Sequence, residues 1–221
     1  MNLPQVPLSA IARPVSRPVQ VVPGTSYRTI GVRWWGEGAY ERETIDGTQT
    51  AARTLTLVRE GDLIINKIWV RHGSAAIAIS DVDGCAASSE FPIFELDTDQ
   101  VLPRWLHWQT KTRWFWEKCA ALSRGTSDKN RIRPDLFLTV TVPLPPLPEQ
   151  CRIVARIEEL SAKIDEARRL REAAQIALQK LGWSLAFGDT QAQATMQMSQ
   201  LVALREPDVP VELDKVYHFA G

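Results

Sequence analysis

Cysteine is scarce in this chain: Cys85, Cys119 and Cys151 are the 3 in 221 residues, an odd number lying far apart. That excludes a disulfide framework and the close pairs of a structural zinc site, and points to a reducing cytoplasm. Histidine is equally sparse. His72, His107 and His218 have no partner at i, i+4, so each reads as a surface or packing residue rather than a metal ligand. There is no apolar run of membrane length, and the proline-bearing start MNLPQVPLSAIARPVSRPVQ resembles neither a signal peptide nor a span; no membrane partner is expected. Net charge is missing too, with 26 Lys+Arg against 26 Asp+Glu, so a charged partner has to be read from local patterning.

Several chemistries are absent as patterns. No GxxxxGK[ST] phosphate loop occurs, and Gly36-Glu37-Gly38 lacks the third glycine and the preceding strand of a dinucleotide fingerprint. Gly125-Thr126-Ser127 lacks the second glycine and the histidine of a nucleophile elbow. Asp62, Asp81 and Asp83 could in principle hold magnesium, but Gly61-Asp62 and Asp83-Gly84 read as ordinary turn pairs. No cofactor, metal or catalytic constellation is expected.

What remains is a globular composition, 44% hydrophobic and 24% charged, enough for a real core. The fold class expected is α+β. Residues 1–145 show short β-like runs between turn residues: Arg53–Val58, Leu63–Ile65, Ala75–Ile79 and Phe91–Phe94, a β-rich domain. Within it Trp105, Leu106, Trp108, Thr112, Phe115, Trp116 and Cys119 recur at three-to-four-residue steps, one or two amphipathic helices packed on the sheet. The stretch Pro143–Gln150, PLPPLPEQ, is a rigid lead into a long helix starting near Pro148. Ile153, Ile157, Leu160, Ile164, Leu178 and Leu181 then hold a heptad register until Gly182 and Gly188. A helix over 146–185, about 50 Å long from 148 to 181 at ~1.5 Å per residue, asks for a partner helix. Residues 186–221 read as a linker and the start of a second repeat, because Ser199, Tyr217 and Gly221 echo Ser9, Tyr27 and Gly31 at an offset of 190.

Local charge is more informative than the total. Arg104, Lys111, Arg113, Lys118, Arg124, Lys129, Arg131 and Arg133 face only Glu117 and Asp128 over that interval, whereas Asp81 to Asp99 holds acids and no base. Basic residues interleaved with Trp105, Trp108, Trp114 and Trp116 suit phosphate contacts, although tryptophans at helical spacing also suit a core. The turn-rich Arg124–Arg133 segment has no such apolar alternative. Period-2 alternation would place Lys67, Trp69 and Arg71 on one face of an extended chain. Arg33-Trp34-Trp35-Gly36 puts two indoles in a glycine-flanked loop, either as a lid on the sheet or free to meet bases.

Taken in order, Tyr27-x-x-x-Gly31, Glu60-Gly-Asp-Leu-Ile-Ile-Asn-Lys-Ile68, Ser88-Ser-Glu-Phe91, Leu102-Pro-Arg-Trp-Leu106, Gly125-Thr126 ahead of Arg131-Ile132, and Val142-Pro-Leu-Pro-Pro-Leu-Pro-Glu-Gln150 with Arg152-Ile-Val154 resemble the DNA-specificity subunit of type I restriction–modification systems, over about residues 5–180. The resemblance implies a noncatalytic reader of one half of a bipartite site, built as a target-recognition domain followed by a conserved helix. Implied partners are duplex DNA, the methyltransferase (modification) subunits and, through them, the restriction subunit, with a homodimer a further expectation. The candidate DNA-binding residues are Arg33, Trp34, Trp35, Lys67, Trp69, Arg71, Arg124, Thr126, Lys129 and Arg131. Ile153, Ile157, Leu160, Ile164, Leu178 and Leu181 are the candidate helix-pairing residues. Such subunits are about twice this length. The rival readings are a stand-alone DNA endonuclease, which would need a metal-binding carboxylate cluster, and a coiled-coil adaptor that does not touch DNA.

Overall fold

The computed structural model describes residues 3–123 and 131–187, with side chains to residue 185. Its strands are β1 Gln5–Pro7, β2 Ala12–Pro14, β3 Pro18–Gln20, β4 Ser26–Val32, β5 Ala39–Asp46, β6 Thr54–Leu57, β7 Leu63–Ile65, β8 Ala75–Ile77, β9 Ala86–Ala87, β10 Ile93–Leu96 and β11 Thr141–Pro143. The α-helices are α1 Pro103–Thr110, α2 Arg113–Leu122, α3 Pro134–Phe137 and α4 Leu147–Phe187. Among these elements the class is α+β, with a β-rich first part and a long final helix.

The four-stranded sheet β2-β10-β7-β8 is antiparallel and central. Successive residues of a strand point to opposite faces, and both faces of this sheet are covered. Leu63, Ile65, Ala75, Ile77, Phe94 and Leu96 enter one core, with Trp105, Leu106, Phe115, Cys119 and Phe137 from the helices. Ile64, Ala76 and Ile93 enter a second core, with Ile30, Val32, Val58 and Val82. Burial on two sides is why β7 and β8 read as unbroken apolar runs rather than as alternation. A five-stranded sheet, β3-β6-β9-β4-β5, lies beyond the second core and is antiparallel except for one parallel bridge, Thr29 to Ala86. Its edge strand β5 exposes Glu41, Arg42 and Glu43, charges that discourage another chain from adding to that edge. β1 pairs separately with β11.

The amphipathic stretch 103–122 is two helices. Thr112 lies between them with extended backbone, and its hydroxyl accepts a hydrogen bond from the Phe115 amide at 3.3 Å, an N-cap that restarts the helix. Trp105 is buried and Trp108 and Trp116 pack on the core, so the core reading fits these three; Trp114 remains 38% exposed.

Two ties span the domain. Asp62 is 3% exposed and accepts from both terminal nitrogens of Arg17, at 2.6 and 3.0 Å, and from the Arg59 amide at 2.7 Å. Asp62 is therefore an ion-pair anchor as well as a turn residue, and these hydrogen bonds raise the Arg17 pKa further above its ordinary value. Gln150, fully buried, accepts from the Leu102 amide at 2.8 Å and donates to the carbonyls of Gln100 at 2.9 Å and Pro145 at 2.8 Å.

The chain divides after Ile164 into units 1–164 and 165–221. The first unit extends past residue 145 because the opening turns of α4 belong to it: Val154 is buried in the helical core and Ile153 packs against that core. Arg104 of α1 reaches Glu158 of α4 at 2.6 Å. Gly182 does not end the helix, which continues to Phe187; an interior glycine costs only about 1 kcal/mol against alanine. From residue 165 to 185 every side chain is exposed, Leu170, Ile176, Leu178 and Leu181 included. Arg124, Thr126 and Lys129, and the second-repeat reading of 186–221, lie outside the described residues. No helix among the described residues is long and apolar enough to cross a membrane.

Candidate nucleic-acid interface

The site is built on the turn that follows β7. Asn66 accepts from the amides of Ile68 at 2.9 Å and Trp69 at 3.2 Å through Oδ1, an Asx turn. A 3-10 helix, Val70–His72, follows and is closed by Gly73 at φ 79°. The segment carrying Lys67, Trp69 and Arg71 is therefore coiled rather than extended, and period-2 logic does not set its faces. Asn66 and Gly73 bracket it with the residues that favour such a turn, and they override the β-like look of Ile68-Trp69-Val70.

The loop joining β4 to β5 docks on this turn by its backbone. The Trp35 amide donates to the His72 carbonyl at 2.8 Å, and the Gly36 amide to the Gly73 carbonyl at 2.9 Å. Trp35 sits at φ 60°, an uncommon conformation for a bulky residue and one sustained only by its surroundings. Both glycines are required by close approach. A Cβ on Gly36 would lie 2.7 Å from the Lys111 Cα, and one on Gly73 2.7 Å from the Trp116 ring.

The result is a cluster of aromatic rings. Trp34 stacks on His72 at 5.5 Å and lies 4.9 Å from Trp69, while Trp35 lies 5.4 Å from Trp116. Trp34 stays 43% and Trp35 52% exposed. The loop indoles thus form an aromatic wall with half of their surface facing solvent, and not a lid on the sheet.

Cations border the wall. Arg71 lies over the Trp69 ring at 5.8 Å and donates through Nε to His72 Nε2 at 3.2 Å. Arg33 lies over Tyr40 at 4.4 Å. The Ile132 amide donates to the Lys67 carbonyl at 2.9 Å, which brings Arg131 beside Lys67. Between them stands Glu90, 3.8 Å from Lys67 Nζ and 3.4 Å from an Arg131 terminal nitrogen. Of the described candidates, Trp34, Trp35, Lys67, Trp69, Arg71 and Arg131 are thus linked through the 66–73 turn, with Arg33 at the base of the β4–β5 loop. Sequence patterning assigns no site role to His72 or Glu90, and places Trp116 among the helix tryptophans rather than beside Trp35. Each lies beside its partners only after folding, although Glu90 falls in the Ser88–Phe91 motif.

Among the described residues, no group of three or more His, Cys, Asp and Glu could hold a metal ion. Cys85 and Cys119 are buried, and Cys151 is exposed. Burial pushes the Cys119 thiol up to about 12, which makes it inert.

Of the helix candidates, Ile153 is partly committed to the domain core. Ile157 is half-buried, Leu160 is 43% and Ile164 52% exposed, and in the second unit Leu178 and Leu181 are 67% and 55% exposed.

No protein-family model matches the chain. It is 29% identical over 133 residues to the Escherichia coli type I restriction enzyme EcoDI specificity subunit, a match covering 60% of this chain and 28% of that protein. In fold it is similar to the HsdS subunit from Thermoanaerobacter tengcongensis, with a TM-score of 0.68 and 24% identity, covering 87% of this chain and 52% of that one. A structure described as the basis of complex assembly and conformational transition of the type I R-M system is similar with a TM-score of 0.62 and 22% identity, over 88% of this chain and 53% of that one. The chain spans about half the length of the solved structures it matches. By sequence and by fold together, it is similar to the specificity subunits of type I restriction–modification systems.

Proposed function

We propose that the chain is a noncatalytic DNA-specificity subunit whose residues 1–145 form a target-recognition domain reading one half of a bipartite duplex site. In this reading α4 is the spacer that brings the methyltransferase subunits and, through them, the restriction subunit to that site. The observation that carries it is the convergence of exposed indoles and cations on the 66–73 turn. Trp34, Trp35 and Trp69 offer apolar contact to base edges, and Lys67, Arg71 and Arg131 offer guanine or phosphate contacts. Arg124, Thr126 and Lys129 belong to the same candidate set.

Methylation-site sequencing of DNA from cells expressing the chain with its cognate methyltransferase tests this reading. A defined half-site is expected, and random or absent modification overturns it. Two copies paired antiparallel through Ile157, Leu160 and Ile164 would set identical readers at opposite ends of a two-fold assembly, and symmetry then demands an inverted-repeat target. The 221-residue chain expressed alone with the methyltransferase is therefore expected to mark an interrupted palindrome; an asymmetric motif would refute the pairing.

A further inference from the structure

Glu90 is anomalous on a surface offered to DNA. A carboxylate repels phosphate, yet this one stands between two of the cations that would meet the backbone. Its position is built by the fold: the Lys67 amide donates to the Glu90 carbonyl at 3.1 Å, and the Ile132 amide donates to the Lys67 carbonyl at 2.9 Å. Three separate stretches of chain are thus pinned side by side with their charged side chains together.

The pairing is loose at each end. Lys67 Nζ is 3.8 Å from Oε1 and an Arg131 nitrogen is 3.4 Å from Oε2, both longer than the usual 2.7–2.9 Å of a charge-assisted hydrogen bond. Oε2 is also shielded from solvent, with no aligned donor among the described residues. An acceptor in that state costs free energy until a donor reaches it. Lys67 is 21% and Arg131 52% exposed at the side chain, and Glu90 33%, so the trio opens to the surface.

From these observations we infer that Glu90 is a specificity-determining residue, which suppresses sequence-independent binding and takes its missing hydrogen bond from a base amino group of the correct half-site. The inference rests on the proposed DNA-reading role of this face. Binding without sequence preference depends on cations neutralising phosphates. Glu90 cancels one charge of the Lys67–Arg131 pair, and a docked backbone, having no donor, would leave Oε2 unsatisfied in a drier setting. A cytosine N4 amino group, the usual partner of a glutamate in the major groove, supplies that donor. Discrimination then arises from penalising the wrong ligand as well as rewarding the right one.

The test is Glu90→Gln in the full chain, an isosteric change at a partly exposed site, with its melting profile checked against the parent. Binding to random-sequence duplex is measured from 50 to 200 mM salt, beside the Lys67→Ala/Arg131→Ala double variant. Gaining one effective phosphate contact should steepen the salt slope by about 0.9 unit and tighten random-duplex binding by roughly tenfold at the low-salt end. In selection from a random duplex library, the Gln variant should lose preference at one base pair of the parental motif. Unchanged or weaker random-duplex binding by a folded Gln variant, while the double alanine variant does bind more weakly, overturns the role of Glu90 alone. A double alanine variant that binds like the parent overturns the DNA-reading role of this face, and the inference with it.

Discussion

The first unit and the helix beyond Asp165 treat their apolar side chains in opposite ways. In the first unit Phe94, Phe115 and Phe137 meet ring to ring with no more than 1% exposure, while Val22, Trp34, Trp35, Ile79, Trp114 and, on the opening turns of α4, Leu160 and Ile164 stay open. Beyond residue 165, Leu170, Leu178 and Leu181 are each more than half exposed. The first unit carries its own stabilising core. Residues 165–185, by contrast, leave every side chain exposed, and their local ion pairs, such as Arg168 with Asp165 at 3.5 Å, are worth a few tenths of a kcal/mol each. A helical segment without burial is marginal in water, so burial by another surface is what would hold it. If α4 is the assembly surface proposed above, fold and assembly rest on different residues, and substitutions can separate them.

The largest separation should come from Phe137, which lies 5.2 Å from Phe94 and 6.2 Å from Phe115. Phe137→Ala leaves a cavity among rings and should cost about 3–5 kcal/mol in denaturant unfolding. Leu178→Ala, at 67% exposure, should change the same measurement by less than about 0.5 kcal/mol. Equal losses from the two would mean that the helix is part of the cooperative core and would break the comparison.

The reverse experiment replaces Ile157 and Ile164 together with Asp. Charges desolvated in a helix seam should cost several kcal/mol of association, seen as loss of co-purification with the methyltransferase subunits. Duplex binding by the first unit should remain. Unchanged oligomer mass and unchanged co-purification would count against the helix as an assembly surface.

His107, in α1 and half-buried, supplies a pH test of the first unit. Burial, then the nearby Lys111 and Arg104, lower its pKa to about 4, with Glu158 pulling the other way. The unfolded chain takes up this proton near pH 6.5 and the folded one only near pH 4, so stability should fall as pH drops through that window. The full shift corresponds to about 3 kcal/mol; partial exposure reduces this to roughly 1–2 kcal/mol. His107→Gln should flatten stability between pH 6.5 and 4, and a slope that persists in the variant assigns it to other groups.

How much of this was legible before folding differs by region for physical reasons. β6, β7, β8 and β10 overlap the apolar runs read from the sequence, and α4 starts within one residue of Pro148, because short apolar runs between turn residues and proline placement are local signals. The 67–71 segment reads as extended in the sequence and is coiled in the structure, since a β-like run masks the Asn66 turn and the Gly73 closure. Arg17 with Asp62 joins residues 45 apart, and Glu90 with Lys67 and Arg131 joins three stretches of chain that no period connects. Tertiary pairing of this kind leaves no periodic trace. Gly182 shows the converse error, a breaker tolerated inside a long helix.

The smallest and most specific effect is expected at Lys67, where the two regions should part company once more. Its ammonium is 3.8 Å from Glu90 and its side chain only 21% exposed, so removing it deletes one cation of the proposed reading face and one loose ion pair, worth about 0–1 kcal/mol of stability. Lys67→Ala should therefore leave unfolding almost unchanged and make the salt dependence of duplex binding shallower by about one unit, alike for all sequences. Lys163→Ala on α4, whose partner is Glu159 at 2.6 Å on the same helix, should change neither the slope nor the affinity. If the two alanine variants shift the slope equally, phosphate contact is spread over the helix as well, and the reading face cannot be confined to the turn at residues 66–73.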